Sequence, residues 1–479
     1  MLFNSLEFAL FLPIVFALYW LISGNLKLQN LFVVAASYVF YGWWNWRFLL
    51  LIAFTSLCSW VSGLIIEKLT NKGGNTRWVC CANIVVNISV LCIFKYYNFF
   101  VTSFADAFLG GNTHNMLLNV VLPVGISFYT FQALSYTIDV YKGKLPPTHD
   151  VVQFFAYVSF FPQLVAGPIE RATNLLPQFA NRRAFCYADA VDGCRQILWG
   201  LFKKIVVADN CAIVANDIFG SYSSQPANIL WVGALFFSFQ IYGDFSGYSD
   251  IAIGTAKLFG IKLMRNFKTP YFSRDIAEFW RCWHISLTTW FRDYIYSPLG
   301  GSRVSKIKVV RNTFVIFLVS GIWHGANWTF VVWGVFHALL FLPLIMLGLN
   351  RKYLNNVAEN RLLPSVRELF QMLTTFLLTV IGWVIFRAES ISQAFDYLKN
   401  MFASGMLHSP IDFFNYPETW VAYFVIFMLI IEWLNRSRRH GLDLSIGSRT
   451  IRWIIYLTLA VSIFAFKYNV CTPFVYFQF

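Results

Sequence analysis

Residues 313–350 contain no Asp, Glu, Lys or Arg, and five further charge-free blocks cover residues 28–46, 48–66, 151–169, 218–243 and 369–386. A charged side chain at the centre of a bilayer costs about 2.5–3.5 kcal/mol on insertion scales, so runs lacking charge mark where a chain can sit in hydrocarbon. About 20 helical residues rising 1.5 Å each cross a core of roughly 30 Å. Most blocks therefore read as one crossing, and 313–350 as two spans or one broken span. Weaker candidates at 8–23, 79–94, 116–138, 420–431 and 453–466 bring the expected total to roughly a dozen. With 58% hydrophobic and 13% charged residues, the chain lies far from a soluble domain. The expected fold class is an all-α polytopic membrane protein with about 11–13 transmembrane and re-entrant helices.

The charge that is present is basic and clustered. Lys and Arg number 37 against 23 Asp and Glu, a net +14. The clusters are Lys68, Lys72 and Arg77; Arg171, Arg182 and Arg183; Lys262, Arg265 and Lys268; Arg303, Lys306, Lys308 and Arg311; and Arg436, Arg438, Arg439 and Arg449. Positive charge is retained on the cytoplasmic side, and Lys27 lies two spans from the Lys68–Arg77 cluster. That parity predicts an N-terminus outside the cytoplasm. The clusters suit topology and anionic-lipid contact, and no aromatic-basic module accompanies them to suggest nucleic acid. Glu7 without a basic start argues that the first apolar segment is retained as a span and not cleaved. Nine cysteines without C-x-x-C spacing predict small core residues and no metal site or disulfide framework. Cys282 stands apart because of its neighbours.

No repeat period divides the chain, so one domain over 1–479 is expected, with N-terminal spans in 1–115, a central region in 116–350 and C-terminal spans in 351–479. Pro123-Val124-Gly125, Pro162 and Gly167-Pro168 interrupt two apolar runs. Proline frees a backbone carbonyl that protein or water must satisfy, so broken or re-entrant helices bordering an internal chamber are expected between 116 and 170. The polar stretches 170–195 and 262–274 are expected on the cytoplasmic side.

Of the seven histidines, His114, His149, His408 and His440 lie in polar or connecting stretches and read as solvated. His284, His324 and His337 lie among Trp, Phe and aliphatic residues, where an ionisable side chain is a functional candidate. If residues 275–299 form one helix, Arg281, His284, Thr288 and Arg292 share a stripe of roughly 80° of arc, opposite Trp283, Leu287, Trp290 and Tyr294. An amphipathic interfacial helix explains the arginines but has no need of the histidine. His324 sits in Gly321-Ile322-Trp323-His324-Gly325-Ala326-Asn327, where glycines allow a break and leave room for a substrate. If a span starts near Thr313, His324 lies near mid-bilayer, where an unprotonated imidazole can accept a hydroxyl proton. His337, about 220° further round a continuous helix, need not face the same space and reads as a packed core residue. The stretch Asp244-Phe245-Ser246-Gly247-Tyr248-Ser249-Asp250 is no G-x-S-x-G nucleophile elbow, and its two aspartates need partners, for which Arg281 and Arg292 are candidates. Candidate substrate-contacting residues are Arg281, Thr288, Arg292, Asp244, Ser246, Tyr248 and Asn327.

On these motifs, with Leu2-Phe3-Asn4-Ser5, Pro123-Val124-Gly125-Ile126-Ser127-Phe128, Gly167-Pro168-Ile169-Glu170-Arg171 and Phe474-Val475-Tyr476-Phe477, the chain closely resembles the membrane-bound O-acyltransferases. The branch it resembles is the bacterial one that O-acetylates polysaccharides such as alginate. The resemblance implies that His324 in Trp323-His324-Gly325 is the catalytic histidine and that His284 occupies a position that is His or Asn across the superfamily. Cys282 departs from relatives that often carry a second Arg. The resemblance also implies an hourglass bundle with a central tunnel in which funnels from both faces meet at the two signature residues. The implied reaction takes acetyl from a cytoplasmic donor, acetyl-CoA, with no bound cofactor or metal. It passes the acetyl outward to a periplasmic SGNH-type acetyltransferase partner that modifies the polymer, from a bacterial inner-membrane location. The alternatives are D-alanyl transfer to teichoic acid from a carrier protein, a polysaccharide or lipid transporter, and a non-enzymatic scaffold. The transporter reading meets no inverted repeat.

Overall fold

The computed structural model describes residues 1–110, 116–403, 417–443, 448–467 and 474–475. Among these, all regular secondary structure is helical. Six helices are long and apolar enough to cross a membrane: Phe48–Asn71, Arg77–Phe108, Ala227–Leu258, Lys306–His324, Trp328–Met346 and Val366–Arg387. Leu6–Leu21 and Val421–Leu434 are shorter apolar helices. In the first of these, Leu10, Ile14, Leu18 and Leu21 point outward, an apolar stripe that water would disfavour and lipid accommodates. The protein is a polytopic, membrane-embedded helical protein.

The charge-free blocks map onto these helices with instructive departures. Residues 313–350 divide into two crossings, as the glycines and Asn327 imply. Residues 218–243 are not one span, because the first helix ends at Gly220 and the next begins at Ala227, directly after Pro226. Residues 151–169 form two short helices, Val151–Ser159 and Phe161–Leu164, split where Phe160 leaves helical angles (φ −51°, ψ 108°) and Pro162 occupies the start of the second. Broken helices are thus found where the prolines predicted them.

The chain divides into two compact units, 1–194 with 252–264, and 195–251 with 265–479. In the first unit, Ile126–Tyr141 is the central helix, with nearly every residue buried. It starts at Gly125 in the left-handed region (φ 76°), where a Cβ would lie 2.7 Å from the carbonyl oxygen of Leu164. Several polar groups inside this unit bond to one another: Asn83 and Asn87 both donate to Ser59 Oγ, and Arg183 donates to Gln29 and Asn30. Lipid offers no such partners, so these bonds fix how the helices meet. Glu170 and Arg183, within the polar stretch expected on the cytoplasmic side, are both buried in this unit. Glu170 accepts from Asn174 Nδ2 at 2.6 Å and from the backbone N–H of Met264, and burial pushes its carboxyl up to about 7.

In the second unit, Lys306–His324 and Trp328–Met346 form a tight helical hairpin. A Cβ on Gly321 would lie 2.2 Å from Phe330 O, and one on Gly334 would lie 2.4 Å from Phe317 O, so both glycines are required by the backbone approach. The eight described cysteines are free thiols. Cys80 and Cys211 are buried as expected, whereas Cys81, Cys186 and Cys194 are exposed.

Candidate active site

His284, His324 and His337 all belong to the second unit. The expected continuous helix over 275–299 does not exist. Ile276–Cys282 ends, Trp283 is extended, His284 adopts left-handed backbone angles (φ 43°, ψ 55°), and Ile285–Phe291 begins a new helix before a π-helical turn at Arg292–Tyr296. The cause is tertiary. The non-helical 266–268 segment bonds to both sides of the break, Lys268 N donating to Cys282 O at 2.9 Å and Ile285 N to Asn266 O at 2.8 Å.

The shared stripe of Arg281, His284, Thr288 and Arg292 therefore falls away. Arg281 turns to the backbone, donating to Asn350 O at 2.8 Å and Tyr353 O at 2.6 Å. Thr288 Oγ1 donates to Trp283 O at 3.3 Å, and Arg292 pairs with neighbouring Asp293 with its side chain 58% exposed. His284 itself is buried, its ring 4.6 Å edge-on from Phe245 and 5.8 Å from Trp323. Burial holds its imidazole down to about 3, so the ring is neutral across the physiological range.

His324 is the last residue of its helix, roughly 27 Å along the axis from Lys306, and not halfway along a span as a start near Thr313 would place it. Gly325 is extended, and Asn327 caps the next helix, its Oδ1 accepting from Thr329 N at 3.0 Å and its Nδ2 donating to Glu389 O at 2.8 Å. Asn327 thus acts as a helix cap. The space beside Gly325 is filled by Phe330, whose ring would lie 2.1 Å from an added Cβ. That glycine therefore admits a phenylalanine, where the sequence suggested room for a substrate. Around His324 stand Trp323 at 5.0 Å, Trp333 at 5.1 Å and Phe386 at 5.3 Å.

His337 is fully buried against Trp280 at 5.0 Å and Trp333 at 4.9 Å, and neither ring nitrogen has a hydrogen-bond partner among the described residues. The separation of about 220° holds only for a continuous helix, and the helix ends at His324. With the chain reversed at 325–327, His324 and His337 contact the same tryptophan. His440, read as solvated, is buried, while His149 is exposed and lies 3.0 Å from Glu67; His114 and His408 lie outside the described residues.

Asp244 and Asp250 do not pair with Arg281 or Arg292. Their cations are Lys204 and Lys203, buried on a π-helical turn, Phe202–Ala208. Lys204 Nζ lies 2.6 Å from Asp244 and 2.7 Å from Asp209, and Lys203 Nζ lies 2.6 Å from Asp250. Asp244 also accepts from Val475 N at 2.7 Å, and Asp250 from Gln196 at 2.7 Å. The two aspartates stand about 9 Å apart along their helix. The glycines around them explain how the lysines reach. A Cβ on Gly243 would lie 2.9 Å from Lys203 O, and one on Gly247 2.8 Å from Gly200 O, so a small-xxx-small face brings the two backbones together. Ser246 is buried with its hydroxyl unbonded among the described residues, and Tyr248 packs its ring on Phe474 at 4.5 Å. Tyr476 and Phe477 lie outside the described residues.

Next to Cys282 lies a cavity of about 210 Å³ lined by Lys268, Glu278, Arg281, Cys282, Tyr353 and Arg436, among others. Burial pushes the Cys282 thiol up to about 11, which makes it a poor thiolate nucleophile at neutral pH.

The sequence of this membrane-embedded helical protein is similar to those of known proteins. The family profile described as MBOAT, membrane-bound O-acyltransferase family, matches residues 144–353, which include both His284 and His324. A probable alginate O-acetylase of Pseudomonas aeruginosa is 42% identical over 85% of this chain and 75% of its own length. Another, of Pseudomonas putida, is 38% identical over the whole of both chains. A peptidoglycan O-acetyltransferase of Helicobacter pylori is 35% identical over 84% of this chain and 80% of its own. The chain belongs to the membrane-bound O-acyltransferase family and is an O-acyltransferase.

Proposed function

We propose that this O-acyltransferase moves an acetyl group from cytoplasmic acetyl-CoA across a bacterial inner membrane to a periplasmic SGNH-type partner, which acetylates an extracytoplasmic polysaccharide. The observation that carries this reading is the placement of His284 and His324 against one ring, that of Trp323. His324 takes the proton of the attacking hydroxyl as its oxygen bonds to the acetyl carbon, and the thioester C–S bond breaks. The sulfur leaves as a thiolate that recovers the proton from His324. His284, kept neutral, donates a hydrogen bond to the acetyl oxygen as charge develops there. The cavity containing Lys268, Arg281 and Arg436 suits an anionic part of the donor, and its place in the basic 262–274 segment fits approach from the cytoplasm. The alginate and peptidoglycan acetyltransferase names of relatives support acetyl as the group carried.

The test is reconstitution of the purified protein in sealed vesicles with labelled acetyl-CoA on one side and the partner on the other. Label must reach the partner only when donor faces the side bearing residues 262–274. Transfer from a D-alanyl carrier but not from acetyl-CoA would replace this reading with D-alanylation. Cysteine labelling of intact cells at positions within 170–195 or 262–274 would overturn the topology, including the N-terminus outside.

A further inference from the structure

Asn266 bonds to both residues that follow His284. It lies in the non-helical 262–269 segment and is fully buried. Its carbonyl oxygen accepts the N–H of Ile285 at 2.8 Å. Its side-chain Oδ1 accepts from the hydroxyl of Ser286 at 2.6 Å and from Ser286 N at 3.3 Å. Its Nδ2 donates to Ser249 Oγ at 3.1 Å, on the helix that also supplies Phe245 to the imidazole.

These bonds converge on one strained place. His284 is in the left-handed region, which side chains other than glycine rarely occupy and hold only when surroundings over-determine them. The first N–H groups of the Ile285–Phe291 helix have no intrahelical acceptor, and Asn266 supplies one to Ile285 through its carbonyl and one to Ser286 through its amide. An ordinary cap would sit in the preceding position, but that position is His284, whose side chain gives no cap bond. Asn266 thus caps the helix from a distant segment and leaves the imidazole free of that task. The reach to Ser249 locks the same amide to the helix carrying Asp244 and Asp250. A hydrophobic residue of the same size at 266 would remove the acceptor of the Ser286 hydroxyl and the donor to Ser249 together.

We propose that Asn266 is a positioning residue for acyl transfer, holding His284 in its left-handed conformation by capping the helix that follows it. This rests on the role given to His284 above. The test is a double-mutant cycle on the purified full chain with labelled acetyl-CoA and the partner. It uses Asn266→Leu, His284→Asn and both together, with Ser286→Ala as a milder second probe that deletes one hydroxyl. Asn266→Leu is expected to lower kcat on the order of 10²-fold, the effect of displacing a reacting group by about 1 Å, with KM for the donor unchanged. In the His284→Asn background the same change is expected to cost no more than about threefold, because the group it positions is gone. Ser286→Ala is expected to follow the same pattern at roughly tenfold.

Equal fold losses in both backgrounds, or a loss appearing in KM alone, would overturn the proposal. So would wild-type turnover in Asn266→Leu. Should that variant not accumulate, Ser286→Ala in the same cycle decides. If His284→Asn and His284→Ala both turn over at the wild-type rate, the role of His284 fails first and the positioning proposal fails with it, and the single variants alone reveal that outcome.

Discussion

His284 and His324 lie against the same indole: the Trp323 ring is 5.8 Å from one imidazole and 5.0 Å from the other. One histidine comes from the break between two short helices and the other from the end of a membrane-crossing helix, so neighbouring positions arise from segments distant in sequence.

The two are expected to divide the work unequally. General-base help is typically worth 10²- to 10⁴-fold, and asparagine cannot supply it at neutral pH although it can donate a hydrogen bond. His324→Ala and His324→Asn are therefore expected to reduce acetyl transfer to background with protein abundance in the membrane unchanged, whereas His284→Asn retains measurable transfer. The check is label transfer by purified variants. The opposite ranking would make His284 the base.

The buried ion cluster is expected to respond asymmetrically. Lys204→Met removes the cation that Asp209 and Asp244 share, and breaking a buried pair in this way costs about 3–5 kcal/mol. Asp244→Asn leaves Lys204 with Asp209 and is expected to cost less. Thermal unfolding in detergent should order the variants as wild type, Asp244→Asn, Lys204→Met from most to least stable. A Lys204→Met protein as stable as Asp244→Asn would refute the pairing.

The helical hairpin that presents His324 should not tolerate a methyl at its crossing points. Gly321→Ala and Gly334→Ala place a Cβ within 2.4 Å of a backbone oxygen, which cannot move aside as a side-chain end can. Overpacking of this kind costs typically about 1–3 kcal/mol. Gly220→Ala, with nothing within 4 Å, is the control and should melt with the wild type. Equal melting of all three variants would contradict the tight crossing.

Much of this architecture is legible in the sequence, for definable reasons. Charge-free runs mark spans because lipid penalises charge wherever it occurs, and Gly325-Ala326-Asn327 marks a turn because helix-breaking and capping are local properties. The break at His284 is not legible. A non-glycine residue enters the left-handed region there because Asn266 holds it, and no local propensity reports a partner eighteen positions upstream. Arg281 and Arg292 are plausible partners for Asp244 and Asp250 only if residues 275–299 form one helix with a polar stripe, and the break at His284 removes that stripe. The signal for the true partners is Leu201-Phe202-Lys203-Lys204-Ile205-Val206-Val207, two adjacent lysines in an apolar run, together with Gly243 and Gly247 one helical turn apart. Glycines at that spacing speak for close helix packing as readily as for a turn around a nucleophile.

The depressed pKa of His284 makes stability depend on pH. An unfolded histidine titrates near 6.5, whereas folded His284 stays neutral down to about 3 because burial disfavours the charged ring. Between those values the unfolded chain binds a proton that the folded chain does not. Stability therefore rises with pH across this window and is lost as pH falls through it, by about 1 kcal/mol per pH unit from this residue. His284→Asn removes the titrating group while keeping a side chain that can hydrogen-bond. The melting temperatures of wild type and His284→Asn, measured in detergent from pH 7.5 to pH 5, are expected to run parallel above about pH 6.5. Below it they should diverge, the wild type losing stability faster. Since every other titrating group is common to both proteins, the difference isolates His284. Curves parallel down to pH 5 would mean that the folded imidazole takes up its proton as readily as a solvated one, and the hydrogen-bonding role assigned to a neutral His284 would have to be withdrawn.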